Sequence, residues 1–126
     1  VLFSASQAGS NFARLIAWLV EQDTAVTSDL AVEEARRNLA LKRPRWLPAF
    51  ELLLADLEMA PSSLFAISVT LAGKDVPLLC AAIRSRCDHF VTGDRRDFGH
   101  LMGKTVEGVK VIAPLQLAQV LSARRR

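Results

Sequence analysis

The sequence predicts an α/β fold, a mainly parallel central sheet covered by helices on both faces, and three observations lead there. Short apolar, branched runs alternate with helical stripes along the 126 residues, the pattern of strand–helix–strand units. The run Leu64 to Thr70 is apolar and branched without polar alternation, as a strand buried on both sides requires. Hydrophobic residues make up 51% of the chain and aromatics only 6%, an aliphatic interior suited to helices on a sheet rather than to a β-sandwich. This length is one domain, expected over residues 1–123, with Arg124-Arg125-Arg126 as a frayed basic tail.

The first apolar run, Val1-Leu2-Phe3-Ser4-Ala5, fits a strand end or a helix's first turn, and Gln7-Ala8-Gly9-Ser10 breaks it. Phe12, Leu15, Ile16, Leu19 and Val20 then recur with helical spacing, and Ser10 or Asn11 can cap that helix. Ala25-Val26-Thr27 is a brief strand. Ser28 or Asp29 caps the next helix, about 29 to 41, in which Glu33 precedes Arg37 by four residues and is expected at the surface. Glu34 follows Leu30 and Ala31 by four and three, which turns it towards the packed side.

Arg43-Pro44-Arg45 is a basic turn, and Trp46 to Met59 is helical, with Trp46, Phe50, Leu53, Leu54 and Leu57 on one face. After the Leu64–Thr70 strand, Asp75 caps a further helix with Pro77 in its first turn and Val76, Leu79, Cys80, Ile83 and Cys87 as its stripe. Cys80 and Cys87 on one helix would stand about 10 Å apart. That is beyond disulfide reach, so both are expected as free core thiols. His89-Phe90-Val91 is a strand that ends in Thr92-Gly93-Asp94, followed by a polar turn, a last strand from Val109 to Ala113, and a last helix from Pro114 to about Leu121.

Net charge is +3, and arginine outnumbers lysine twelve to four. Arginine's planar fork suits phosphate and carboxylate, which favours nucleic acid or an acidic partner, although a solvated surface explains the same excess. No apolar run approaches the roughly 18–20 residues that span a bilayer, and no secretory signal is expected. A soluble, cytoplasmic protein without a membrane partner is expected.

In a parallel sheet the strand ends and the starts of the following helices gather along one edge, where ligands bind. Glu34, Asp75 and Asp94 come from there, and Asp97 lies about one turn beyond Asp94. Clustered carboxylates repel unless a cation neutralises them, and hard oxygen donors suit Mg²⁺ or Mn²⁺. Such an ion activates water for attack on a phosphodiester, and Arg95 and Arg96 stand beside the site to hold flanking phosphates. Each acid also has a plainer explanation: Asp75 and Asp94 as helix caps, Glu34 as an arginine's partner.

The chain resembles the PIN domain family, Mg²⁺/Mn²⁺-dependent ribonucleases that include the toxins of many bacterial toxin–antitoxin pairs. The likeness rests on Val1-Leu2-Phe3-Ser4-Ala5, on Thr27-Ser28 with Glu34-Ala35-Arg36-Arg37-Asn38-Leu39, on Lys74-Asp75-Val76-Pro77-Leu78-Leu79 and on Val91-Thr92-Gly93-Asp94-Arg95-Arg96-Asp97-Phe98, in family order. It implies a three-layer α/β/α sandwich with strand order 3-2-1-4-5. It also implies that Glu34, Asp75 and Asp94 bind metal, that Asp97 is a further acid of the site, and that Thr92 lines it. Family members carry, just ahead of the segment like Val1–Ala5, a strand ending in Asp-x-Asn that supplies another metal-binding aspartate, so an upstream strand is expected in the natural protein. RNA, a small antitoxin protein and a second copy of the chain are the expected partners.

Two other functions fit parts of the pattern. A non-catalytic module could dock RNA or protein through its arginines. A phosphoacceptor receiver domain also uses an acidic Mg²⁺ pocket, but it needs an acid pair early in the chain, and residues 1–22 hold only Glu21.

Overall fold

Ser10 opens the first helix of the computed structural model, which describes residues 10–22, 24–61, 70, 71, 73 and 75–124. Its hydroxyl accepts from the Ala13 N–H at 3.1 Å, so Ser10 rather than Asn11 caps helix α1, Asn11–Gln22. The predicted Val1–Ala5 run, most of the Leu64–Thr70 strand, Lys74 and the last two arginines lie outside the described residues.

Strand β1, Val26–Ser28, runs directly into helix α2, Asp29–Lys42. Ser28 is the cap, its hydroxyl accepting from Ala31 N–H at 3.2 Å. Val32, Ala35 and Leu39 are the buried face of α2, and they pack with Phe50 of helix α3, Leu47–Leu54. A 3-10 turn, Pro44–Trp46, joins the two helices.

The helix expected from Trp46 to Met59 is shorter than the sequence suggests. Three successive bonds from Ala55, Asp56 and Leu57 N–H to carbonyls three residues back tighten and end α3. Glu58–Ala60 then becomes strand β2, parallel to β1 in the register Val26↔Glu58 to Ser28↔Ala60. An apolar run in helical spacing is pulled into a sheet by a partner some thirty residues away. Tertiary pairing overrides the local pattern.

Helix α4, Val76–Arg84, buries Leu79, Cys80 and Ala81. It stops short of Cys87, because Arg86 turns left-handed at φ 57° and the Cys87 N–H folds back onto the Ala82 carbonyl. Cys87 is therefore not on the α4 stripe, although both cysteines are free thiols as expected. Strand β3, His89–Val91, leads to a short helix α5, Arg95–Phe98, and a 3-10 turn, Gly99–Leu101, where a polar turn is expected. The short strand β4, Thr105–Val106, pairs antiparallel with β5, Val109–Ile112. Glu107 and Gly108 between them both have positive φ, the tight-turn geometry that glycine eases. Helix α6 runs from Pro114 to Arg124, so Arg124 ends a helix rather than starting a tail.

The chain is mixed α/β. Among the described residues its strands form two small sheets, β1-β2 and β3-β5-β4, and both β1/β2 and β3/β5 are parallel. Leu79, Phe98, Leu101, Val106 and Val111 make one buried cluster, and Ile112, Leu117 and Leu121 make another beneath α1. No described helix is long and apolar enough to cross a membrane.

Candidate metal centre

The turn after β3 is built by its own polar groups. The Thr92 N–H donates to the Ile112 carbonyl at 3.0 Å, carrying the β3/β5 ladder one residue past the strand. The buried Thr92 hydroxyl accepts from the Asp94 N–H at 3.1 Å. Asp94 then caps α5, its Oδ1 accepting from the N–H groups of Arg96 at 3.0 Å and Asp97 at 3.1 Å. The capping role that the sequence suggests for Asp94 is real.

Asp75 behaves differently. It occupies the cap position of α4 but its carboxylate makes no capping bond. The second helical residue is Pro77, which has no N–H to offer, and Asp75 itself is in a helical conformation at φ −95°, ψ −20°. Capping, the plain explanation for this acid, fails at the side chain. Asp75 is nonetheless 6% exposed, and a carboxylate so buried needs a compensating environment.

Its neighbours, however, include two more acids. One carboxylate oxygen from each of Asp75, Asp94 and Asp97 lies within 4.8 Å of the others. Three negative groups this close repel strongly where water is partly excluded, and a bound cation offsets the repulsion. The donors are all hard oxygens, so the cluster can hold a metal ion of the hard class, and nothing in the arrangement singles out one metal.

Glu34 is not in that cluster. It is exposed, as Glu33 is, because the packed side of α2 is set by Val32, Ala35 and Leu39. Leu30, one of the neighbours whose spacing points Glu34 inwards, is itself 40% exposed. Nor does Glu34 take an arginine: among the described residues Arg36 pairs with Glu51, at 3.0 Å. Glu34 does line the same cleft as Asp75, Thr92 and Asp94, together with Ser28 and Asn38. Asn38 is the polar wall residue that the chemical reading passes over, though it stands one helical turn after Glu34. Arg95 and Arg96 are exposed in the first turn of α5.

Elsewhere on the cleft wall, burial pushes the Cys87 thiol above its ordinary pKa, and the charges of Asp88 and Glu58 push it the same way. A separate apolar groove between α1 and α6, lined by Leu15, Trp18, Pro114 and Leu115, contains none of the candidate residues. Comparison of the chain with models of protein families, with curated proteins and with solved structures finds no match.

Proposed function

We propose that the chain is a PIN-like ribonuclease domain that hydrolyses RNA phosphodiester bonds with Mg²⁺ or Mn²⁺ held by Asp75, Asp94 and Asp97, with Glu34 acting from the same cleft. The observation that carries this reading is the approach of three carboxylates, one of them buried, to within 4.8 Å. A divalent ion bound there supplies an activated water and stabilises charge on the leaving oxygen. The chain's own residues prepare the place for it. Thr92 fixes the turn, and the two N–H groups bound to Asp94 hold that carboxylate in position before any ligand arrives. Arg95 and Arg96 are free to reach phosphates on either side of the scissile bond.

The three-layer sandwich with order 3-2-1-4-5 belongs to the same proposal. It draws support from β2 beside β1 and β3 beside β5, each pair parallel. In its biological setting the domain acts in the cytoplasm as the toxin of a toxin–antitoxin pair, held in check by a small antitoxin protein, and as a homodimer.

Calorimetric titration with Mn²⁺ and an RNA-cleavage assay test the reading together. The wild-type chain takes up the ion and cleaves, and Asp94→Asn does neither. Undiminished cleavage by that variant sinks the assignment. The second reading, a binding module without catalysis, draws on the Asp94 capping bonds, which give that acid a structural task needing no metal. RNA binding with no Mn²⁺ uptake by the wild-type chain favours it.

A further inference from the structure

The corner that follows α2 carries more positive charge than its local structure uses. From Arg36 to Arg45 the chain has five cations and no acid. Arg36 is engaged by Glu51 of α3. Lys42 sits in the last turn of α2, where it meets the negative end of the helix dipole. The helix end also engages Arg43, its C-cap residue, but not Arg45, and Lys42, Arg43 and Arg45 are all exposed.

The corner is also rigid. The Arg43 N–H donates to the Leu39 carbonyl at 2.8 Å, the Trp46 N–H to the Arg43 carbonyl at 2.9 Å, and Pro44 removes one backbone freedom between them. Trp46 is half-buried against the cluster of Val32, Ala35, Leu39 and Phe50. The Arg43 guanidinium lies 5.8 Å from the centre of the Trp46 ring, and its Nη1 donates to the Lys42 carbonyl at 2.8 Å. One of its N–H donors is used by that bond, and the others remain for a ligand.

We propose that Lys42, Arg43 and Arg45 form a contact for the phosphate backbone of single-stranded RNA, outside the acid cluster. The corner has no acidic or hydrogen-bond-accepting side chain, so it reads charge rather than a pattern of side chains, which favours a polyanion of regular spacing over a folded protein. Leu41, 77% exposed beside it, offers an apolar surface to a sugar or base. Three cations within one turn suit neighbouring phosphates of a flexible strand. Helix α2 connects the two places: Lys42 is eight residues, about 12 Å, from Glu34 on the cleft wall. The inference extends the RNA reading above but needs no metal, so it is tested without one.

Binding of a fluorescein-labelled single-stranded RNA oligonucleotide is measured in EDTA at several salt concentrations. The triple variant Lys42→Ala/Arg43→Ala/Arg45→Ala should bind at least about tenfold more weakly, and its slope of log affinity against log salt should fall by about two, as expected for three lost phosphate contacts. Arg43→Lys/Arg45→Lys, which keeps the charge, should retain most of the slope and confirms that the corner can be altered without unfolding. A triple variant with the wild-type affinity and slope overturns the proposal, as does a wild-type chain that binds polyglutamate of equal charge more tightly than the RNA. A failure of the metal reading leaves these outcomes untouched.

Discussion

Leu79 and Phe98 lie in one buried cluster, and each stands four residues after an acid of the candidate metal centre, Asp75 and Asp94 respectively. In both cases the backbone closes the turn with an N–H to carbonyl bond of 3.2 Å, from Leu79 to Asp75 and from Phe98 to Asp94. Two helix starts from different parts of the chain are thus pinned to the same core, and this packing brings their acids together.

Loosening one pin should separate the acids. Leu79→Ala removes a fully buried side chain and should cost about 2–5 kcal/mol in urea unfolding. If packing places Asp75, the variant's affinity for Mn²⁺ should also fall at temperatures where it is still folded. A variant that loses stability while keeping full ion affinity would show that the acids are held by something else.

Asp94 has two tasks that substitution can split. Asparagine caps helices as well as aspartate does, so Asp94→Asn in EDTA should be at least as stable as wild type while losing Mn²⁺ uptake. Asp94→Ala loses the cap too and should be about 1 kcal/mol less stable than Asp94→Asn. Comparing the two by chemical denaturation and calorimetry settles the matter. Equal ion affinity for Asp94→Asn and wild type would leave only the cap.

The features that can be read from sequence are those set by near neighbours. The caps at Ser10, Ser28 and Asp94 and the packed side of α1 at Leu15, Ile16 and Leu19 depend on residues within two turns, and they fold as the pattern indicates. Strand β2 is different, since Glu58–Ala60 becomes extended only because β1 lies alongside. Glu34 departs from its pattern for a related reason: the spacing from Leu30 and Ala31 turns it inwards, whereas the core that α2 faces is supplied by Phe50. Asp75 sits midway between these cases. Its place at a helix start is local, but what surrounds its carboxylate comes from α5.

Cys87 should leave a signature at alkaline pH. Its thiol pKa is raised in the folded chain, first by burial and then by Asp88 and Glu58. The folded state therefore keeps this proton when the unfolded state has begun to lose it. Stability is unaffected below the ordinary thiol range, about 8.5 to 9, and falls as pH rises through it towards the folded value. Urea midpoints between pH 8 and 10 should decline more steeply for wild type than for Cys87→Ser, and identical slopes would contradict the shift.

The acid cluster makes its own prediction for the metal-free protein. With Asp75 buried and two carboxylates within 4.8 Å, removing one charge relieves repulsion without removing a cap. Asp75→Asn should therefore be more stable than wild type in EDTA, by on the order of 1–2 kcal/mol. Saturating Mn²⁺ should reverse the order. Wild type gains about 2.7 kcal/mol when the ion stands at a hundred times its dissociation constant, and the variant, lacking a ligand, gains little. Thermal melts of both proteins with and without Mn²⁺ read this crossing directly. A stability order that is the same in both conditions would mean that the three acids tolerate one another without an ion, and the cluster would lose its claim to be a metal centre.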